Sequence, residues 1–234
     1  MDRREFLKHA MAAGLASGAG LTIAVRQVLA MAPDQLLEGV RKVQGMVLIN
    51  GSPAQVNAMV FPGDIITTGS ASHAVFVVGK DAYLVRDNAR IEILGDDRGT
   101  GQQGSSKLIK TIKVAAGKVL SVFGKGEKRV ETLTAVAGVR GSAVYVEAEP
   151  DLTYLCLCYG EAELSAPLFP SAYEKVITRH HDQPRYILGK NAGRPFLRAP
   201  VINHTDEELT MLEALVGRKP PFAGAGGGSG IPHY

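Results

Sequence analysis

The most chemically specific residues in this chain are two cysteines and two adjacent histidines. Cys156 and Cys158 lie in Thr153-Tyr154-Leu155-Cys156-Leu157-Cys158, a β-branched and apolar run that predicts a strand. Residues two apart on a strand share a face, so both thiols project the same way, together with Tyr154. Two thiols on one face offer two ligands to a soft or borderline metal. A site needs further donors, and His180-His181 is the obvious source. Neighbours on a strand point to opposite faces, so only one of the two is expected to converge. Three readings of the thiols stay open: small apolar core residues, metal or cofactor ligands, or a redox pair. Geometry opposes a disulfide, because strand neighbours two apart hold their Cα atoms near the upper end of the bridging range.

Other polar residues carry weaker signals. His180-His181-Asp182 with Arg185-Tyr186 is also readable as a satisfied polar surface patch, while His73 at a strand start and His204 before a helix have no identifiable partner. Arg140, in Val139-Arg140-Gly141-Ser142, is positioned either to bridge carbonyls or a carboxylate across a bend at Gly141, or to meet an anionic partner. Glu147, Glu149, Glu161 and Glu163 alternate on strands, and solvation explains them. Catalytic signatures are missing: there is no Gly-x-Ser-x-Gly, no His-Glu-x-x-His, and Gly117-Lys118 runs into Val119 without the glycine loop of a phosphate cradle. No catalytic residue is assigned and the chain is expected not to be an enzyme.

The elements that must hold these residues are mostly strands. From 45 to 188 short β-branched and apolar runs are punctuated every eight to twelve residues by Gly, Asn, Asp or Pro, a mainly β rhythm of many short strands. Met46-Val47-Leu48-Ile49, then Asn50-Gly51, then 54–60 predicts a tight hairpin. Strands are expected over 65–68, 73–78, 83–86, 90–94, 107–115, 118–123, 130–135, 143–149, 153–158 and 161–165, with turns at Ala116-Gly117 and Gly124-Lys125-Gly126-Glu127. Residues 95–106 read as a solvated glycine-rich hairpin tip, since Asp96-Asp97 lacks the ligand spacing of a calcium loop. The stretch 153–158 is apolar on both faces, as a central strand covered on each side would be. One short C-terminal helix is predicted over 205–216: Thr205 caps it, Glu208 completes a capping box, Leu209, Leu212 and Val216 form its stripe, and Gly217 and Pro220 stop it. Three turns are unstable alone, so this helix must dock on the β body.

The N-terminus carries an address. Asp2-Arg3-Arg4-Glu5-Phe6-Leu7-Lys8 is similar to a twin-arginine export signal, with Arg3, Arg4, Phe6, Leu7 and Lys8 as its signal residues. The apolar run 10–25 that follows is too short and too rich in Gly and Ala for a bilayer span. Cleavage is expected after Ala30, and an uncleaved leader would leave a membrane anchor. The expected location is periplasmic or extracellular, with the twin-arginine translocase as export partner. Removing 1–30 takes away four basic residues and two acidic ones, so the formal charge falls from +3 to +1. A near-neutral surface argues against a nucleic-acid partner. Two Cys and no Trp exclude a disulfide-stapled miniature.

Ala135-Val136-Ala137-Gly138-Val139-Arg140-Gly141-Ser142-Ala143-Val144 resembles the hallmark Ala-x-x-x-Val-Arg-Gly-Thr/Ser stretch of the FecR domain family. Gly63-Asp64-Ile65-Ile66-Thr67-Thr68-Gly69-Ser70-Ala71-Ser72 is similar to its Gly-Asp-x-Ile-x-Thr-Gly-x-x-Ser segment, Gly117-Lys118-Val119-Leu120 to its Gly-x-Val/Leu strand start, and Tyr159-Gly160-Glu161-Ala162 to its closing turn. The resemblance implies an extracytoplasmic, mainly β sensing or interaction module with an envelope protein or other periplasmic ligand as partner. This chain departs from the founding plan in having an export signal where a cytoplasmic anti-sigma segment and a span would stand, so the sigma-regulating role is not carried over. The expected organisation is a leader over 1–30, a linker or short helix over 31–44, a FecR-type β domain over 45–190, an extension over 191–222 and a disordered tail over 223–234. The alternative function is a metal- or cofactor-binding accessory protein of an exported redox system, using Cys156, Cys158 and His180 or His181; otherwise no cofactor is expected.

Overall fold

Period-two apolar alternation organises this chain on both sides of one sheet. The computed structural model describes residues 38–95, 109–190 and 193–223. The leader, most of the 95–106 loop and the tail from 224 lie outside the described residues. In chain order the strands are β1 (Gly39–Gln44), β2 (Val47–Ile49), β3 (Ser52–Pro53), β4 (Ile65–Thr68), β5 (His73–Val78), β6 (Asp81–Val85), β7 (Arg90–Gly95), β8 (Ile109–Val122), β9 (Glu127–Glu131), β10 (Val136–Ala148), β11 (Leu152–Ser165), β12 (Tyr173–Thr178), β13 (Arg185–Leu188) and β14 (Phe196–Arg198), followed by helix α1 (Asp206–Leu215). They form one 14-stranded sheet, antiparallel except where β8 runs parallel to β9.

Two apolar clusters lie on opposite faces of this sheet. Val119, Val144, Leu155 and Leu157 enter the larger one, while their strand neighbours Leu120, Tyr145, Tyr154, Cys156 and Cys158 enter the smaller one. The smaller cluster also takes Leu209, Met211, Leu212 and Leu215, the buried face of α1. Burying four such side chains stabilises docking by roughly 1.5–3 kcal/mol each before the entropy of ordering the helix is subtracted. The double-sided character of 153–158 therefore has the expected cause: β11 is covered by the main core on one face and by α1 with its approach segment on the other.

The helix is as predicted. The Thr205 side chain accepts from Glu208 N, and the Glu208 carboxylate reaches back to Thr205 N. At the other end Gly217 N donates to Ala214 O and Arg218 N to Glu213 O, a Schellman closure with Gly217 at φ +71°. Among the described residues no helix is long and apolar enough to cross a membrane.

Several strand expectations are corrected. The described part of the expected linker or short helix over 31–44 contains β1, which pairs antiparallel with β5, so the β body starts before residue 45. It also continues past 190, because β14 pairs with β13. Asn50 (φ +52°) and Gly51 (φ +80°) make the predicted hairpin turn, but its second arm is only Ser52–Pro53. The strand expected over 130–135 is β9, displaced toward its N-terminus.

Ala116-Gly117 is a bend inside one long strand, where a turn was expected. There β8 leaves β7 and joins β6 and β10. Gly117 stands at φ +82°, and a Cβ built on it would lie 2.4 Å from Ala89 Cα. Gly117→Ala is expected to lose about 2–4 kcal/mol from combined backbone strain and overpacking, read as a lower urea midpoint.

Candidate metal centre

Strand β11 changes partners along one edge. Its residues 152–155 pair with β13 and its residues 160–165 pair with β12, leaving 156–159 opposite no strand on that side. The turn between β12 and β13 fills the gap, and His181 N donates to Cys158 O at 3.0 Å. His181 holds a left-handed backbone conformation, φ +52°. A bend at that residue turns its ring toward the thiols. Across the same face runs the segment leading into α1. It is tied down by Tyr154 OH donating to Pro200 O at 2.9 Å, and by Asn203 Nδ2 donating to Glu147 Oε1 at 2.7 Å.

These elements bring Cys156, Cys158, His181 and His204 together, with one donor atom of each within 4.8 Å of the others. Cys156 Sγ stands 3.4 Å from His181 Nδ1, and His181 Nδ1 stands 3.0 Å from His204 Nε2. Both cysteines are fully buried and free, and His204 is 8% exposed. The His204 ring stacks on Tyr145 at 4.4 Å between centroids.

The outer contacts decide which nitrogens carry protons. His204 Nδ1 lies 2.6 Å from Ile202 O, an acceptor only, so Nδ1 is the protonated nitrogen and Nε2 presents a lone pair. His181 Nε2 lies 3.1 Å from Asp206 Oδ1, so it donates there and Nδ1 presents a lone pair. Two nitrogen lone pairs thus face each other at 3.0 Å beside a thiol. That arrangement is repulsive unless a proton or a cation lies between them. Ligating histidines commonly hold their other N–H on a carboxylate or carbonyl in this way.

The electrostatics favour positive charge at this point, a proton or a cation. The Cys156 thiol is shifted well down, first by its hydrogen bond with Cys158 and then by His181 and His204, against the opposing effect of burial. Burial, followed by the neighbouring Cys156, pushes Cys158 well up. His181 is raised: burial pulls it down, but Cys156 and Asp206 together outweigh that. The pocket thus favours a thiolate at Cys156, the form that ligates a metal, and a proton on His181 that a bound cation would displace.

Of the residues singled out in sequence, Cys156, Cys158 and His181 converge. His180 does not join the thiols. It is half exposed, donates through Nε2 to Asp206 at 2.8 Å, and lies against the Phe222 ring at 4.3 Å. His204 and Asp206 were missed as site residues, since they lie more than forty residues from the cysteines and more than twenty from His181. Arg140 is exposed at a bulge between β10 and β11, with Gly141 at φ +54°. Its register neighbours are Glu127 and Glu161. Glu161 is shifted down, mainly by Lys175, with which it pairs, and in smallest part by Arg140. Glu147 is not merely solvated, since it accepts from both Tyr145 OH and Asn203.

No family model and no curated protein matches the chain. Two crystal structures of a putative anti-sigma factor from Parabacteroides distasonis ATCC 8503 are similar in part. The first, at 2.50 Å resolution, has 12% identity and a TM-score of 0.44; the second, at 1.65 Å, has 13% and 0.43. Each match covers 58% of this chain and 58% of the other. The class defined by the fold itself is a mainly β protein, with one docked C-terminal helix among the described residues.

Proposed function

We propose that this chain is a non-enzymatic, exported module of FecR type that senses or interacts in the bacterial cell envelope, and that its ligand is a soft or borderline metal cation held by Cys156, Cys158, His181 and His204. The observation that carries the ligand assignment is the convergence of four donor atoms within 4.8 Å, two sulfurs and two nitrogens. That donor set is the one structural zinc sites use, and it also suits other thiophilic ions. The envelope location is supported by the twin-arginine-like leader, and the sensing role by the Val139-Arg140-Gly141-Ser142 resemblance. Four protein ligands leave no open position for substrate, which favours a structural or sensory metal over a catalytic one.

Cobalt tests the assignment. Co2+ added to the chelator-treated chain is expected to give thiolate-to-metal charge-transfer absorption in the near ultraviolet and tetrahedral d–d bands in the visible. Cys156→Ser with Cys158→Ser should abolish the first. A pale octahedral spectrum from the unaltered chain would contradict the assignment.

A further inference from the structure

The four ligands belong to two separately anchored parts of the chain. Cys156 and Cys158 are on β11 and His181 is on the β12–β13 turn, all within the sheet body. His204 lies on the strap that leads into α1, and Asp206, which orients His181, is the first residue of α1. The donor set is therefore complete only while the strap and helix lie on the sheet. We propose that the metal is a latch: its binding fixes the strap and α1 over the β11 face, and its release frees them. This rests on the metal reading given above and names how that site is coupled to the rest of the fold.

Besides the ligands, and the Tyr154–Pro200 and Asn203–Glu147 bonds already described, the strap and helix are held by identifiable contacts. Arg86 donates to Asn203 O at 2.9 Å and pairs with Glu208 at 2.7 Å. Tyr159 OH and Arg218 Nε both donate to the buried Glu213 carboxylate, and Arg218 Nη1 donates to Lys80 O at 2.7 Å. Beneath these, Leu209, Met211, Leu212 and Leu215 join Val75, Val77, Leu84, Leu120 and Val122 in the smaller cluster. A ten-residue helix does not persist alone in water, so a strap that lifts from the sheet also loses its helix. Docking and helix formation are one event, and the metal site is assembled by it.

Linkage makes the coupling reciprocal: what tightens the strap must tighten the metal, and the reverse. Hydrogen exchange is measured on the full chain loaded with Zn2+ and on the same chain stripped by a chelator. In the stripped chain the α1 amides should exchange at least ~10-fold faster, while the amides of β5, β6 and β10 keep their rates. Leu212→Ala changes a residue on the buried face of α1 that supplies no donor atom to the site. It should lower Zn2+ affinity by about 10-fold at unchanged one-to-one stoichiometry. Arg218→Ala, on the surface side, gives the same direction and replaces Leu212→Ala if that variant does not fold. Equal α1 exchange in loaded and stripped protein would overturn the latch and leave the metal site standing. A chain that takes up no Zn2+ would overturn the site reading itself, and the latch with it.

Discussion

Replacing His204 with alanine is expected to lower Zn2+ affinity more than His180→Ala does, by a wide margin, although only His180 was singled out in sequence. His204 Nε2 faces His181 Nδ1 at 3.0 Å inside the thiol pocket, whereas His180 is turned outward onto Asp206. Losing a direct ligand should exceed the roughly 10–100-fold that loss of an outer partner causes. His181→Ala belongs with His204→Ala. Asp206→Asn, which keeps the size of the group but weakens the acceptor for His181 Nε2, should fall within that ~10–100-fold interval. His180→Ala should stay within about threefold of the unaltered chain, since it removes no donor. Competition against a chromophoric chelator measures all four. Equal losses for His180→Ala and His204→Ala would mean that the ligand set is wrong.

The second large effect is far from the metal site. Lys128 Nζ stands 2.7 Å from Asp81 Oδ2 and 2.6 Å from Ile109 O, while Gly124 N donates to Asp81 Oδ1. Both charged side chains are almost fully buried, at 4% and 3% exposure. Lys128→Met leaves a buried carboxylate without its countercharge, and breaking such a pair typically costs about 3–5 kcal/mol. The urea midpoint should drop accordingly. Asp81→Asn combined with Lys128→Met should recover part of the loss, because the uncompensated charge is gone. Metal affinity should be little changed in the double variant.

The same two sites show what was legible in the sequence. Strand periodicity placed Cys156 and Cys158 on one face, and it was right because a strand fixes side-chain direction locally. The capping box at Thr205 and Glu208 was equally local and equally clear. His204 could not be read this way. Its partner lies on another element, and only the path of the strap over Tyr154 and Tyr145 brings it to the thiols. One weak signal was available: a histidine just before a helix that must dock on the face carrying the cysteines. Lys128 was hidden differently. In Glu127–Glu131 the alternation puts Lys128 on the same side as buried Val130, but a lysine letter reads as solvent-facing unless its carboxylate partner is known. Gly117 was read as a turn for a related reason. A glycine at positive φ punctuates a sequence in the same way whether the chain reverses there or merely bends around Ala89.

The central claim is that two sulfurs and two imidazole nitrogens of this chain close around one metal ion. X-ray absorption fine structure at the zinc edge of the loaded full chain tests it most directly. The expected first shell is two sulfur scatterers at about 2.3 Å and two nitrogen scatterers at about 2.0–2.1 Å. A shell of nitrogen and oxygen alone, with no sulfur at that distance, would contradict it.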